Sequence, residues 1–339
     1  MVAKDKRKQN WGASSPDTKG TSGEKPKKVA VIGAGTIGAS WATLFVAKGR
    51  QVNLQDVEEE RLDQALKTII SNLKFLTESE LLNEDSTSVL KRVDPTTDLS
   101  LAVKNVEYVQ ESAFESYEVK KALFAQMDSI CSENVILASS SSGLLMSEIQ
   151  KVAKSPERCI IAHPFNPPHL IPLVELVPGK RTSEETIETA YRFHRMMGKT
   201  PLRIRKEVPG YVANRLCAAL WREAIDLVHK EIASVEDVDL AVCRGPGLRW
   251  AFMGPHITYH LGGGSGGIQE FIEHIGPTFE SCWGSMSSWT SIPPSALKKV
   301  VKGLEEEVEK RNLEELARWR DAKLVKILKT ISDDSPFTQ

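Results

Sequence analysis

Apolar and polar positions change period along this chain in a way that marks out its elements. The first apolar run, Val29-Ala30-Val31-Ile32, is too short for a helix and ends directly at Gly33, the pattern of a strand buried on both faces. Ile37, Trp41, Leu44 and Phe45 then recur at helical spacing up to a stop at Gly49, and Val52 to Asp56 reads as a second strand. A long helical stretch from Glu58 to about Leu82 follows. Further strands are expected near Glu107 to Gln110, Val135 to Ala138 and Cys159 to Ala162, with helical segments between most of them. Such alternation predicts an α/β fold with a doubly wound, mainly parallel sheet, whose ligand sites lie at the carboxyl ends of the strands.

After Arg203-Ile204-Arg205 the period becomes helical almost throughout. Val208-Pro209-Gly210 punctuates the chain, and both Ala213 to Lys230 and Leu304 to Lys329 set apolar residues at helical spacing against charged faces. The expected organisation is a tail over 1–27, an N-terminal domain of the Rossmann type over 28–207, an all-α domain over 208–331, and a short tail over 332–339. The first segment holds Lys, Gly, Ser, Thr and Pro with almost nothing to bury, the composition of a disordered tail. Asp5, Asp17 and Glu24 count against a mitochondrial presequence, a class poor in acidic residues.

Composition narrows the partners. With 44 basic against 45 acidic residues the chain lacks the footprint of a nucleic-acid binder. No apolar run approaches the roughly 18 to 20 residues of a membrane span. The five cysteines stand at wide, irregular spacings without a C-x-x-C pair, which favours reduced thiols in a cytoplasmic protein over disulfides or a zinc site. The expected partner is therefore a small molecule.

Gly33-Ala34-Gly35-Thr36-Ile37-Gly38 is a G-x-G-x-x-G run, weak by itself but here placed between a strand and a helix. Asp56 answers it at the end of the next strand, eighteen residues beyond Gly38. In this context Gly33 permits a tight turn, Gly35 leaves room for a pyrophosphate at the helix N-terminus, and Gly38 allows close helix–strand packing. Asp56 would accept hydrogen bonds from ribose hydroxyls. Because Glu58, Glu59 and Glu60 follow it, a 2′-phosphate would meet like charges rather than an arginine, which favours NAD over NADP.

The segment Cys159 to Val177, CIIAHPFNPPHLIPLVELV, places His163 at a strand end and Glu175 on what reads as a returning strand. Imidazole, with an ordinary pKa of about 6.5, can take a hydroxyl proton near neutrality and return it. His256 and His260 stand four apart, but no third ligand or H-E-x-x-H glutamate accompanies them, and no metal is expected. The Gly262 to Gly267 run lacks the lysine and preceding strand of a phosphate loop.

H-P-F-N-P followed by P-L-V-E resembles the catalytic segment of the L-3-hydroxyacyl-CoA dehydrogenase superfamily. The likeness extends over residues 28 to about 330, through the glycine fingerprint, ESAFESYEVKKALF, ASSSSGL and VPGYVANRL. What the resemblance implies is an NAD-dependent oxidoreductase acting on a secondary alcohol. His163 matches the general base, Glu175 its orienting carboxylate, and Ser142 and Asn214 the polar residues near the substrate oxygen. Asn166 falls on the motif's asparagine, and Glu111 on a position near the nicotinamide ribose. A homodimer formed through the helical domain is also implied.

The stretch Gly245 to Gly267 departs from the acyl-CoA pattern, because Leu248-Arg249-Trp250-Ala251-Phe252 precedes Met253-Gly254-Pro255. It resembles the carnitine dehydrogenase branch and, more distantly, lambda-crystallin, an L-gulonate 3-dehydrogenase. A free 3-hydroxy acid presents a carboxylate that suits the planar fork of Arg249. A quaternary ammonium suits aromatic faces such as Trp250 and Phe252. The expected reaction is oxidation of the 3-hydroxyl of a small acid, L-carnitine to 3-dehydrocarnitine. The alternatives are an acyl-CoA substrate of the 3-hydroxybutyryl-CoA type or a crystallin-like structural protein.

Overall fold

A computed structural model describes residues 27–308 and 311–332. The tails expected over 1–27 and 332–339 lie outside the described residues except for Lys27 and Ser332. The described chain falls into two compact units, one up to Leu216 and the other from Cys217.

The first unit is built on eight strands: β1 (Lys28–Ile32), β2 (Gln51–Gln55), β3 (Val93–Thr96), β4 (Tyr108–Glu111), β5 (Ile136–Ser139), β6 (Cys159–Pro164), β7 (Leu173–Pro178) and β8 (Thr200–Arg203). They form one sheet in the order β3-β2-β1-β4-β5-β6-β7-β8. All pairs are parallel except β6 with β7. Strand order reverses between β1 and β4, the switch point where ligands enter a doubly wound sheet. Val29 to Ile32 are buried to the last residue, as expected of a strand covered on both faces.

The helices of this unit are α1 (Thr36–Ala47), α2 (Glu59–Glu78), α3 (Ser86–Leu90), α4 (Leu99–Ala102), α5 (Tyr117–Ile130), α6 (Met146–Ile149) and α7 (Glu184–Met196). Several start where a side chain satisfies the free N–H groups of the first turn. Ser183 Oγ accepts from the Thr186 N–H at 3.1 Å at the head of α7, where Glu184 and Glu185 oppose the positive helix end. By contrast α1 begins at Gly35 without a side-chain cap or an acidic residue in its first turn, so its N-terminus remains available to an anion.

The described residues of the second unit form helices joined by loops, with no strand among them. It takes in most of α8 (Ala213–His229), followed by α9 (Val235–Arg244), α10 (Pro246–Trp250), α11 (Pro255–Gly262), α12 (Gly267–Ser285), α13 (Pro294–Val308) and α14 (Leu313–Ser332). The division between units falls inside α8. The apolar spacing over Leu304 to Lys329 belongs to two helices rather than one. Asn312 and Glu315 cap each other reciprocally at the start of α14, with Asn312 Oδ1 accepting the Glu315 N–H at 2.9 Å and Glu315 Oε2 accepting the Asn312 N–H at 3.2 Å. No helix among the described residues is long and apolar enough to cross a membrane.

Candidate active site

The glycine loop that joins β1 to α1 is fixed by close approaches. Gly33 takes φ 97°, and a Cβ there would meet the backbone of Ser112 at 2.7 Å. A Cβ on Gly38 would meet the carbonyl oxygen of Gly33 at 1.8 Å, so helix and strand can approach this closely only through glycine. Nothing lies within 4 Å of a Cβ built on Gly35, which is solvent-exposed at the head of α1 beside Thr36, with Ile37 half-buried behind them. This open space before an uncapped helix N-terminus fits the diphosphate of a dinucleotide.

Asp56, just past β2, accepts the Ala34 N–H on Oδ2 at 2.8 Å, which braces the loop and leaves its second oxygen for a ligand. Together with Gly33, Gly35, Glu58 and Phe114 it lines a cleft of about 580 Å³. An arginine also faces this cleft, contrary to the expectation from the acidic run: Arg61 stands on the first turn of α2, with Nε 3.0 Å from Glu58 Oε2. The local i,i+3 spacing ties that cation to Glu58.

A second cavity, about 380 Å³, is lined by His163, Asn166, Ser142, Asn214, Glu115 and Lys120 among others. Antiparallel pairing of β6 with β7 sets His163 directly opposite Glu175. Their side chains meet on one face, His163 Nδ1 lying 2.9 Å from Glu175 Oε2. Glu175 is fully buried and His163 is 4% exposed. Glu175 Oε1 accepts the N–H groups of Val212 and Ala213, each at 3.0 Å, and so caps the N-terminus of α8. Tyr211, at φ 51°, makes the left-handed turn that precedes these donors. Burial pushes the Glu175 carboxyl up, but the hydrogen bonds from His163, Ala213 and Val212 outweigh it and hold the group below its ordinary range. The imidazole ring is packed by Phe165 and Tyr211, with centroids 5.2 Å and 5.4 Å away.

The four serines after β5 begins have separate fates. Ser139 donates to Glu111, and Ser140 Oγ accepts from Trp41 Nε1 at 3.1 Å and Gln110 Nε2 at 2.8 Å. Ser141 Oγ donates to Glu115 at 2.6 Å, which leaves Ser142 as the exposed member. Asn214 Nδ2 donates to the Ser142 carbonyl at 3.0 Å, bringing these two predicted residues together on one wall.

Glu111 does not face either cleft. Its fully buried carboxylate takes Lys120 Nζ at 2.8 and 3.1 Å, the Ala113 N–H at 2.7 Å and the Ser139 hydroxyl, so every lone pair has a partner within the protein. The carboxylate that does line the cavity is Glu115, which the sequence reading passes over. Burial raises its pKa, but hydrogen bonds from Ser141, Ser142 and Gly143 and the nearby Lys120 lower it further, and the net shift is downward. Both glutamates lie in the same short run with Lys120 between them, at 3.4 Å from Glu115 Oε2. The signal that could have separated them is position: Glu111 is the last residue of β4, whereas Glu115 lies in the loop before α5.

Arg249, Trp250 and Phe252 belong to the helical unit, the first two on α10 and the third just beyond it, and all three are exposed. In the same unit His260 Nδ1 accepts the Ile268 N–H at 3.1 Å and closes the glycine-rich loop. Among the described residues no cluster of three His, Cys, Asp or Glu side chains is arranged to hold a metal.

Residues 28–208 match the family model for the 3-hydroxyacyl-CoA dehydrogenase NAD binding domain, and residues 210–311 match the model for the C-terminal domain of the same family. An L-carnitine dehydrogenase of Streptomyces coelicolor is 39% identical over 309 residues, covering 91% of this chain and 96% of its own length. That of Oceanobacillus iheyensis is 37% identical over 313 residues, 91% of this chain and all of its own length. Among solved structures, a 5-formyl-3-hydroxy-2-methylpyridine 4-carboxylic acid 5-dehydrogenase, described as an NAD+-dependent dismutase, superposes with a TM-score of 0.78 at 25% identity, over 91% of this chain and 99% of its own. A 3-hydroxybutyryl-CoA dehydrogenase of Escherichia coli superposes with a TM-score of 0.64 at 30% identity, over 83% of this chain and 57% of its own.

Proposed function

This chain belongs to the 3-hydroxyacyl-CoA dehydrogenase family and is an NAD-dependent oxidoreductase acting on a CH–OH group, and from that premise we propose that its substrate is a small free 3-hydroxy acid, L-carnitine being oxidised to 3-dehydrocarnitine. The observation that carries this reading is the buried His163–Glu175 pair opening onto a polar cavity, in a chain to which several L-carnitine dehydrogenases are 37–39% identical across nine-tenths of its length.

The Gly33–Gly38 loop and Asp56 would hold NAD, which would supply the acceptor for the hydride that leaves C3. His163 acts as the general base. Its Nδ1 is committed to Glu175, which leaves Nε2 to take the hydroxyl proton, and the buried carboxylate stabilises the imidazolium that results. Ser142 and Asn214 hold the substrate oxygen, with Asn166 on the same wall. Asp56 takes the ribose hydroxyls on its unspent oxygen. We assign Glu111 the task of fixing Lys120 from behind, and Glu115 the polar contact to cofactor or substrate that its place in the cavity allows.

Arg249 is proposed to bind the acid's carboxylate through its planar fork, and Trp250 and Phe252 to face the trimethylammonium group. A second reading, an L-3-hydroxyacyl-CoA substrate, is favoured by the 30% identity to the E. coli enzyme. Initial rates of NADH formation with L-carnitine, L-gulonate and 3-hydroxybutyryl-CoA separate the two. Preference for carnitine supports the proposal, and preference for the thioester replaces it.

A cytoplasmic homodimer completes the proposal. It is supported by five free cysteines and by a helical unit that exposes large apolar side chains, Leu220, Trp221, Trp283 and Trp319 among them. Light scattering of the purified protein reads the oligomeric state.

A further inference from the structure

Between His163 and β7 the chain runs Pro164-Phe165-Asn166-Pro167-Pro168-His169-Leu170-Ile171-Pro172. Four prolines in nine residues deprive this segment of the N–H donors that would pair it with a neighbour. What holds it is therefore visible bond by bond. The Leu170 and Ile171 N–H groups turn back to the Pro167 carbonyl at 3.0 Å, and the Pro172 carbonyl accepts the Thr200 N–H at 2.8 Å. The His169 N–H donates to Ser40 Oγ at 3.0 Å, and Ser40 Oγ also lies 2.7 Å from His169 Nδ1.

Two further carbonyls of the segment, those of Pro168 and Ile171, accept from Nζ of Lys199, the first at 2.9 Å. Lys199 is 4% exposed, and its ammonium lies over the ring of Trp41 at 5.2 Å. Burial pushes its pKa down to about 7. Among the described residues no carboxylate forms an ion pair with it, so its donors are spent on backbone oxygens. An apolar side chain of the same length would fill this space at less desolvation cost. What the ammonium adds is hydrogen bonds to these two backbone carbonyls.

Ser40 and Trp41 belong to α1, the helix whose N-terminus closes the glycine loop. The clamped segment carries Phe165, which packs against His163, and Asn166, which lines the cavity. We propose that Lys199 is a positioning residue for hydride transfer: with Ser40 it clasps the Pro164–Pro172 wall of the catalytic cavity to the cofactor helix, so that cofactor and base are held in one frame. The inference rests on the dehydrogenase reading above.

The test is single-turnover NADH formation by Lys199→Met and Ser40→Ala, beside hydrogen exchange of both free proteins. Amplitude counts competent sites, whereas the rate constant reads the geometry of the reacting groups. Lys199→Met should keep its affinity for NAD within about twofold and lower the hydride-transfer rate constant by about tenfold to 10²-fold, the usual penalty for a small misplacement. Ser40→Ala should show a smaller drop in the same constant. Amide exchange over residues 169–171 should quicken in both. A merely structural lysine would reduce amplitude and leave the rate constant at its original value, which would overturn the proposal. If Lys199→Met does not fold, the rate constant of Ser40→Ala decides. If the unaltered protein turns over no substrate in the panel, the functional reading fails alone, and unchanged exchange in residues 169–171 would still refute the clasp.

Discussion

Replacing Glu175 by Gln tests the catalytic pair with the least change of shape. The wild-type carboxylate accepts on both oxygens, from His163 on one side and from the Val212 and Ala213 N–H groups on the other. An amide has one acceptor and one donor end. If its oxygen faces α8, its NH₂ confronts His163 and forces Nδ1 to accept, which leaves the proton on Nε2 where the base is needed. If it flips, NH₂ faces two N–H groups at the head of α8. Each orientation breaks one set of bonds.

The first orientation forfeits a charge-assisted hydrogen bond to the forming imidazolium, about 1.5 to 3 kcal/mol. At about 1.4 kcal/mol per tenfold this lowers kcat by about tenfold to 10²-fold. The second leaves buried donors unpaired and lowers stability by about 1 to 3 kcal/mol. The linkage adds a signature in pH. Because Glu175 is held below its ordinary range in the folded state, its contribution is present above an unfolded value of about 4.3 and is lost as pH falls through the lower folded one. Steady-state kcat with saturating NAD, NAD binding by fluorescence titration, and urea unfolding between pH 3 and pH 6 measure all three. A variant with kcat within about twofold of wild type, or one that instead loses NAD affinity, would refute the reasoning.

His163→Gln should lower kcat by about 10² to 10⁴-fold with NAD binding intact, and near-normal turnover at neutral pH would remove histidine from the mechanism. NAD should exceed NADP in kcat/KM, and Glu58→Gln, by releasing Arg61, should narrow that preference; an unchanged ratio would show that the Glu58–Arg61 pair does not govern it. Arg249→Ala should raise KM for a free 3-hydroxy acid by about tenfold to 10²-fold, with Arg249→Lys a poor rescue, whereas kinetics with a thioester should not respond. Burial pushes His194 down to about 3, so the unfolded chain binds a proton that the folded one does not between about 6.5 and that value. Stability should accordingly fall by about 2 kcal/mol from pH 7 to pH 5, above the range where carboxylates titrate, and His194→Phe should flatten that part of the urea-unfolding profile.

Much of this architecture was legible because the decisive residues have local reasons. The glycines at 33, 35 and 38 are demanded by a turn, an open approach and a helix–strand contact within a few residues of one another. His163 and Glu175 could be paired because a strand, a proline-rich segment and a returning strand fall between them in order. β3 escaped detection because it is a short edge strand with a proline at its third position and only Val93 buried. That Glu115 rather than Glu111 lines the cavity has a similar origin: period and composition show two carboxylates near one lysine but not which of them lies beyond the end of the strand. The clasp made by Lys199 leaves no mark on the sequence, since a lysine aimed inward reads like one aimed at water.

The most direct measurement of the central claim follows the hydrogen itself. L-Carnitine deuterated at C3 is incubated with the protein and NAD, and the product nucleotide and organic acid are examined by NMR. Direct hydride transfer with His163 as proton acceptor predicts one deuterium at C4 of the reduced nicotinamide, none washed into solvent, and a ketone at C3. Reduced nucleotide without the label, or no reduced nucleotide while 3-hydroxybutyryl-CoA turns over, would contradict it.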